Sequence, residues 1–463
     1  MFIFVLRLCG MKAIVLLSLA ASISLSAKEA VLDLTKPHRY VAQVIPGYIT
    51  PDNTPNNNPI TDIGATLGRV LFYDKRLSKN STISCASCHQ QDAAFGDPAI
   101  ASVGVTGTTG RHSMRLVNAR FANERRFFWD ERALNLEAQT TQPIQDHIEM
   151  GFSGADGDPD LSALVERIAE IELYQVLFTA VFGNEGVTED RMQRALAQFV
   201  RSIQSFDSKY DEGLVTAPNP NVDFSNFTAQ ENLGKRIFAN PPGPAGGAGC
   251  AACHQPPTFD IDPNSGHNGV ITSIGGGQDL TNRRSPSLRD LVNSRGHPHG
   301  PFMHDGSKAT LLDVVNHYNA IPAVTEGLDR RLAGPPPRPG GPPPQAQRLN
   351  LSDNEKAALV AFLGTLTGSN IYRDEKWSSP FDENNELSFV VLPAEVSFSP
   401  ENGTMAVEAT GVPHVTYLLK SSSDLEAWDD GVVIRADENG LLSREMRGMP
   451  KAKFFCFVYE PSE

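Results

Sequence analysis

The stretches "CASCHQ" at 85–90 and "CAACHQ" at 250–255 repeat one pattern, Cys-x-x-Cys-His-Gln, about one domain apart. Two cysteines at this spacing can form a redox dithiol or half of a zinc site. A His directly after them points instead to attachment of a c-type haem, the thiols taking up the vinyl groups and the imidazole lying beneath the iron. Cys85, Cys88 and His89 then make one attachment set, and Cys250, Cys253 and His254 a second. A zinc reading would have to draw both cysteine pairs into one four-thiolate centre across two domains. A disulfide framework would want dispersed, paired cysteines. Here Cys9 lies in the leader and Cys456 stands alone near the C-terminus.

The elements that carry these motifs repeat as well. "LGRVLF" (67–72) precedes the first motif and "LGKRIF" (233–238) the second, each followed by a loop and then Cys-x-x-Cys-His. Two homologous haem domains are the economical reading. Apolar spacing predicts helices over 61–78, 132–142, 160–182 and 188–206. Capping boxes at Thr228/Glu231 and Ser352/Glu355 predict helices over 227–238 and 351–367. "GPPPRPGGPPPQ" (334–345) reads as a polyproline-like surface excursion. From 385 onward, short β-branched and aromatic runs alternate with turn residues, as in a small all-β, sandwich-like module. The expected fold is therefore mainly α: two cytochrome c-like haem domains, 28–215 and 216–384, and an accessory β module, 385–463.

The chain has 463 residues, 40% apolar and 20% charged, with a net charge of −14. That length suits two or three domains, and the acidic balance argues against a nucleic-acid partner while favouring a basic or dipolar redox protein. The opening "MFIFVLRLCGMKAIVLLSLAASISLSAKEA" reads as a secretory signal over 1–27, with cleavage after Ala27 and Met11 as a second candidate start. Its apolar run is short and rich in small residues, so no stable membrane span is expected. Export to the periplasm fits covalent haem attachment.

Around the motifs the chain resembles the bacterial di-haem cytochrome c peroxidases and their MauG branch. The resemblance rests on "FFWDERALNLEAQTTQPIQDHIEMG" (127–151), "ALAQFVRSIQSFDSKYD" (195–211) and "SPSLRDLVNSRGHPHGPFMHDGSKATLLDVVNHYN" (285–319), and spans about 55–370. It implies that the N-terminal haem meets peroxide and that the second passes electrons. It also implies roles for Trp129, Gln139 and Glu149, which keep the family's ten-residue intervals. Trp129 links the haems, Gln139 orients peroxide or water, and Pro143 forms part of the distal wall. Glu149 over the iron can take a proton from one peroxide oxygen and return it to the other. Read without the resemblance, Glu149 is a solvated acid and Trp129 a core aromatic.

Two departures matter. The family's best-known peroxidases carry a removable His over the first haem, but "ASVGVTGTTGR" (101–111) contains none. The first haem is then expected to be five-coordinate or water-bound, open to peroxide without prior reduction. Those peroxidases also place a Met on the second haem, fourteen residues after the His of "HDG"; from His304 that position is Tyr318, as in the MauG branch. A phenolate favours ferric and higher states, a thioether ferrous iron. His317 and Met303 are the rival donors. The family's calcium ion would use an Asn replaced here by His112, a poor calcium ligand, and carbonyls near His299 and Pro301. His38, His147, His267 and His297 read as surface or structural. The implied partners are H2O2 and a small periplasmic electron donor or an oxidisable protein substrate. The alternative is a di-haem electron carrier without peroxidase activity; it would have a sixth protein ligand on each haem and no distal acid.

Overall fold

The computed structural model describes residues 30–184, 186–243, 246–333, 345–390, 392–393, 395–399, 404–447 and 454–459. The signal segment 1–27 and nearly all of the Pro-rich stretch 334–345 lie outside the described residues. The helices are α1 (Asp62–Tyr73), α2 (Cys85–Cys88), α3 (Leu136–Thr140), α4 (Leu161–Ala169), α5 (Glu172–Phe182) and α6 (Glu189–Ser202). They continue with α7 (Lys209–Thr216), α8 (Ala229–Ala239), α9 (Leu311–Asn319) and α10 (Asp353–Gly364). Among the described residues no helix is long and apolar enough to cross a membrane.

The described residues form two compact units, one within 39–164 and 189–379, the other within 1–38, 165–188 and 380–463. The larger unit holds both Cys-x-x-Cys-His motifs, and its helices pair by the same device twice. In α1, a Cβ on Gly68 would collide with the Ala195 carbonyl of α6 and the Phe199 side chain. In α8, a Cβ on Gly234 would collide with the Ala358 carbonyl of α10 and the Phe362 side chain. Each glycine lets two helix backbones approach more closely than any side chain permits. The internal repeat legible in "LGRVLF" and "LGKRIF" is thus also a repeat of packing. Tyr210, Phe224, Phe238, Phe259 and Phe362 form the aromatic core around the second pair, all buried. Arg289 and Asp211, both buried, make a bidentate pair at 2.8 Å, and Tyr48 donates to the same carboxylate at 2.8 Å.

The caps behave as their local chemistry dictates. Thr228 accepts from Glu231 N and Ser352 from Glu355 N, each with the reciprocal bond of a capping box. Longer expectations are trimmed. Residues 160–182 form two helices interrupted at Glu170 and Ile171, and 132–142 shortens to α3, capped by Asn135. Helices α7 and α9 have no counterpart in the sequence reading.

In the smaller unit, β1 (Val31–Leu32) pairs in parallel with β4 (Ser388–Phe389). A three-stranded antiparallel sheet runs β10 (Leu441–Arg447), β7 (Thr404–Thr410), β6 (Glu395–Ser399). A four-stranded one runs β5 (Leu392–Pro393), β11 (Phe454–Tyr459), β8 (Thr416–Ser422), β9 (Val432–Arg435). Val407, Leu442 and Phe457 are fully buried, and β7 alternates buried with half-buried positions, as a one-faced sheet requires. Cys456 is buried on β11. In the larger unit, a short ladder of β2 (His254–Gln255) and β3 (Asp260–Ile261) follows the second motif.

Candidate functional site: two cavities sharing a tryptophan

Helix α2 is a single turn whose C-cap is His89. The loop after it doubles back through Ala94 and Phe95, both in left-handed backbone, so that the Phe95 carbonyl accepts from His89 Nδ1 at 3.0 Å. That bond fixes the tautomer and leaves Nε2 as the donor atom for a metal. His89 lines a cavity of about 610 Å³ together with Gln139, Pro143, Glu149 and Trp129. The residues singled out at ten-residue intervals therefore converge on the first motif's histidine.

Glu149 is held from three directions. Asp146 accepts the backbone N–H groups of Ile148 and Glu149 at 2.8 and 3.0 Å, shaping the turn. Lys79 N donates to the Met150 carbonyl at 2.9 Å. The histidine-free loop 101–111 closes the third side: Val105 N donates to the Glu149 carbonyl at 3.1 Å, and Thr106 Oγ1 to the His147 carbonyl at 2.9 Å. Gly104 lies so close that a Cβ would strike the Ile148 carbonyl. Burial, reinforced by the Asp146 charge and opposed by Arg132, pushes the Glu149 carboxyl up to about 7. Glu149 also acts electrostatically on Cys85 and Cys88, whose thiols burial pushes up to about 12 and about 11.

Trp129 rides on a tight loop closed by the Phe127–Ala133 bridge. Its indole Nε1 donates to the His112 carbonyl at 2.7 Å, and its own carbonyl accepts from Arg283 N and Arg284 N. Arg111 clamps the frame, bonding Asp130 at 2.6 Å and Asp279 at 2.8 Å. The Trp129 ring meets His304 edge-on at 6.1 Å. Trp129 lines both the first cavity and a second one of about 630 Å³. Arg115 and Arg284 also line both, and no sequence reading picked them out.

The second cavity is lined by Cys250, Cys253, His254, Met303 and Tyr318. Asp262 N and the Arg331 guanidinium bond the carbonyls of Cys253 and Ala252 and so brace the motif. His254 differs from His89 in that its buried Nδ1 has no partner among the described residues. Helix α9, capped by Thr310 and Asp313, presents Leu311, Val314, Val315 and Tyr318 to this cavity along one face. Its neighbour His317 is turned away, its Nε2 bonded to the Asn268 carbonyl at 2.9 Å. Burial keeps the Tyr318 phenol protonated well above its usual range. His112 N donates to the His304 carbonyl at 2.7 Å, and the His112 Nδ1 faces the carbonyls of Ala99 and Ile100 at 3.0 and 3.2 Å. His112 itself lines both cavities. His267 is buried on the Glu326 carbonyl, and His147 pairs with Asp158.

Two thiols and an imidazole line the second cavity, and His89, directly after Cys85 and Cys88 on α2, lines the first; these donors suit haem c, and both volumes fall within the roughly 300–1,000 Å³ of cofactor pockets.

Comparison with known proteins agrees. The di-haem cytochrome c peroxidase profile matches residues 63–217. Methylamine utilization protein MauG of Methylophilus methylotrophus is 30% identical over 331 residues, covering 69% of this chain and 87% of that one. Cytochrome c551 peroxidase of Nitrosomonas europaea is 28% identical over 317 residues, covering 66% and 80%. The crystal structure of a MauG-like protein associated with microbial copper homeostasis superposes with a TM-score of 0.57 at 29% identity, covering 73% of this chain and 98% of that one. The chain therefore belongs to the di-haem cytochrome c peroxidase family, on its MauG-like side, and is an oxidoreductase of that family.

Proposed function

We propose that the protein is an exported, periplasmic di-haem c-type peroxidase. It reduces H2O2 at the N-terminal haem and draws electrons through the second haem from a small redox protein or an oxidisable protein side chain. The observation that carries this reading is the convergence of His89, Gln139, Pro143 and Glu149 on one cavity whose wall, Trp129, is also a wall of the other.

Haem iron, when bound, supplies the electrons that cleave the O–O bond. Cys85 and Cys88 would tether the first haem and Cys250 and Cys253 the second, with His89 and His254 as proximal ligands. The chain's own task is proton traffic and placement. Ionised Glu149 takes a proton from one peroxide oxygen and returns it to the departing oxygen, and a carboxyl poised near 7 can do both. The Gln139 amide orients the peroxide, and Pro143 closes the wall without adding a competing donor. Trp129, fixed at both its indole nitrogen and its carbonyl, is suited to bridge the haems electronically.

Tyr318 would be the sixth ligand of the second iron. Its place on the cavity face of α9, with His317 turned away, supports it over that rival. The first iron would have no protein sixth ligand, since the loop 101–111 offers no His. Residues 28–215 and 216–384 are the two haem domains of this reading, and 385–463 is an accessory module. No calcium ion is included, because His112, a poor calcium ligand, stands where the family has an Asn, and its Nδ1 faces the carbonyls of Ala99 and Ile100.

Stopped-flow mixing of the diferric protein with H2O2 tests the reading. Reaction without prior reduction supports it. No reaction until one haem is reduced would remove the open first site, and no reaction in any state would leave a di-haem electron carrier.

A further inference from the structure

Three side chains would compete as sixth donor to a second haem iron: Tyr318 and Met303, which line the second cavity, and His317 beside Tyr318 on α9. One residue touches all three. Asn268 Nδ2 lies 3.1 Å from Met303 Sδ and 3.4 Å from Tyr318 Oη, while the Asn268 carbonyl accepts from His317 Nε2 at 2.9 Å. The amide cannot be turned the other way without loss, because Asn268 Oδ1 accepts from Val270 N at 3.0 Å. Its two N–H donors are therefore the ones aimed at the sulfur and the phenol oxygen.

We propose that Asn268 is the positioning residue that selects the second haem's sixth donor, in favour of Tyr318. This rests on reading Tyr318 as that donor. Each of its three contacts acts in the same direction. An N–H bond to the thioether occupies a lone pair that Met303 would need to bind iron. An N–H bond to the phenol oxygen strengthens and shortens when that oxygen becomes anionic, whereas a neutral thioether gains nothing comparable. The carbonyl holds the nitrogen His317 would have to offer. Met303 is a real competitor: it lines the same cavity, and its left-handed backbone, φ 71°, is unusual for a residue with a long side chain. Asn268 itself also lines that cavity, fifteen residues after Cys253.

The test is electron paramagnetic resonance and near-infrared spectroscopy of the diferric holoprotein, with a redox titration of the second haem. Asn268→Leu should convert much of the second haem from a phenolate to a thioether signature. It should also favour reduction of that haem at least tenfold, about 59 mV for one electron. Met303→Leu alone should leave the native spectrum unchanged. Adding it to Asn268→Leu should restore the phenolate signature, a rescue that mere loss of packing cannot produce. Should Asn268→Leu fail to retain both haems, Asn268→Asp, which replaces the amide donors with an acceptor, should show the same shift. An Asn268 variant with native spectrum and potential overturns the proposal, as does loss of the native spectrum in Met303→Leu. Tyr318→Phe separates the two claims: a native spectrum there removes Tyr318 as ligand, whatever Asn268 does.

Discussion

Gly234→Ala should destabilise the protein, although Ala is by far the better helix former. At mid-helix the exchange gains about 1 kcal/mol of propensity. Against this, the new Cβ of α8 meets the carbonyl carbon and oxygen of Ala358 and the Cβ of Phe362 on α10. The first two are backbone, so no rotamer change relieves the clash and the helices must separate. Overpacking of this kind costs about 1–3 kcal/mol, and a rigid obstacle places it in the upper half of that range, for a net loss of about 1–2 kcal/mol. Gly364→Ala is the internal control. It ends α10 with nothing within 4 Å of the added Cβ, so it should be neutral or stabilising by up to about 1 kcal/mol. Guanidinium unfolding of the holoprotein, followed by far-UV circular dichroism and haem absorbance, measures both. Equal stability of the two variants would refute the close-approach argument. Gly68→Ala, facing Ala195, should behave like Gly234→Ala if the repeat is one of packing.

Other expectations follow from the same contacts. Trp129→Phe removes the bond to the His112 carbonyl but keeps a ring in the shared wall; peroxide should still react at the first haem, while inter-haem electron transfer, followed by freeze-quench spectroscopy, slows at least tenfold. Arg289→Met strands the buried Asp211 carboxylate and should cost about 3–5 kcal/mol in chemical denaturation. Glu149 has its carboxyl raised from 4.5 to about 7, so the fold favours its protonated form. Its stabilising contribution is then complete below about 4.5 and lost as pH rises through about 7. Because the base form is the ionised one, the peroxide step should accelerate over the same upper range, and Glu149→Gln should flatten both profiles.

What the sequence shows plainly is what local chemistry settles. Thr228 and Ser352 cap their helices through partners three residues away, and each Cys-x-x-Cys-His is complete within five residues. Glu149, Gln139 and Trp129 are legible only through the family resemblance, whose intervals they keep, and the turn at Asp146 and the bridged loop at Phe127 explain how those intervals become one cavity wall. The residues that escaped notice act over long separations. Asn268 meets Tyr318 across fifty residues, and the anchor of Trp129 is a backbone carbonyl, which carries no sequence signature. Helix α9 is hard to read from sequence because its apolar face lines the second cavity and ends in a tyrosine. The break between α4 and α5 follows no Gly or Pro signal, so periodicity alone reads through it.

The most direct measurement is the rate at which H2O2 reacts with the diferric protein, native against Glu149→Gln, at pH 8. A fall of at least a hundredfold, with both haems retained and the optical spectrum before mixing unchanged, is the expected result and matches the typical worth of a positioned proton-transfer group. An unchanged rate would mean that peroxide is handled without Glu149, and that the first cavity is not the site described here.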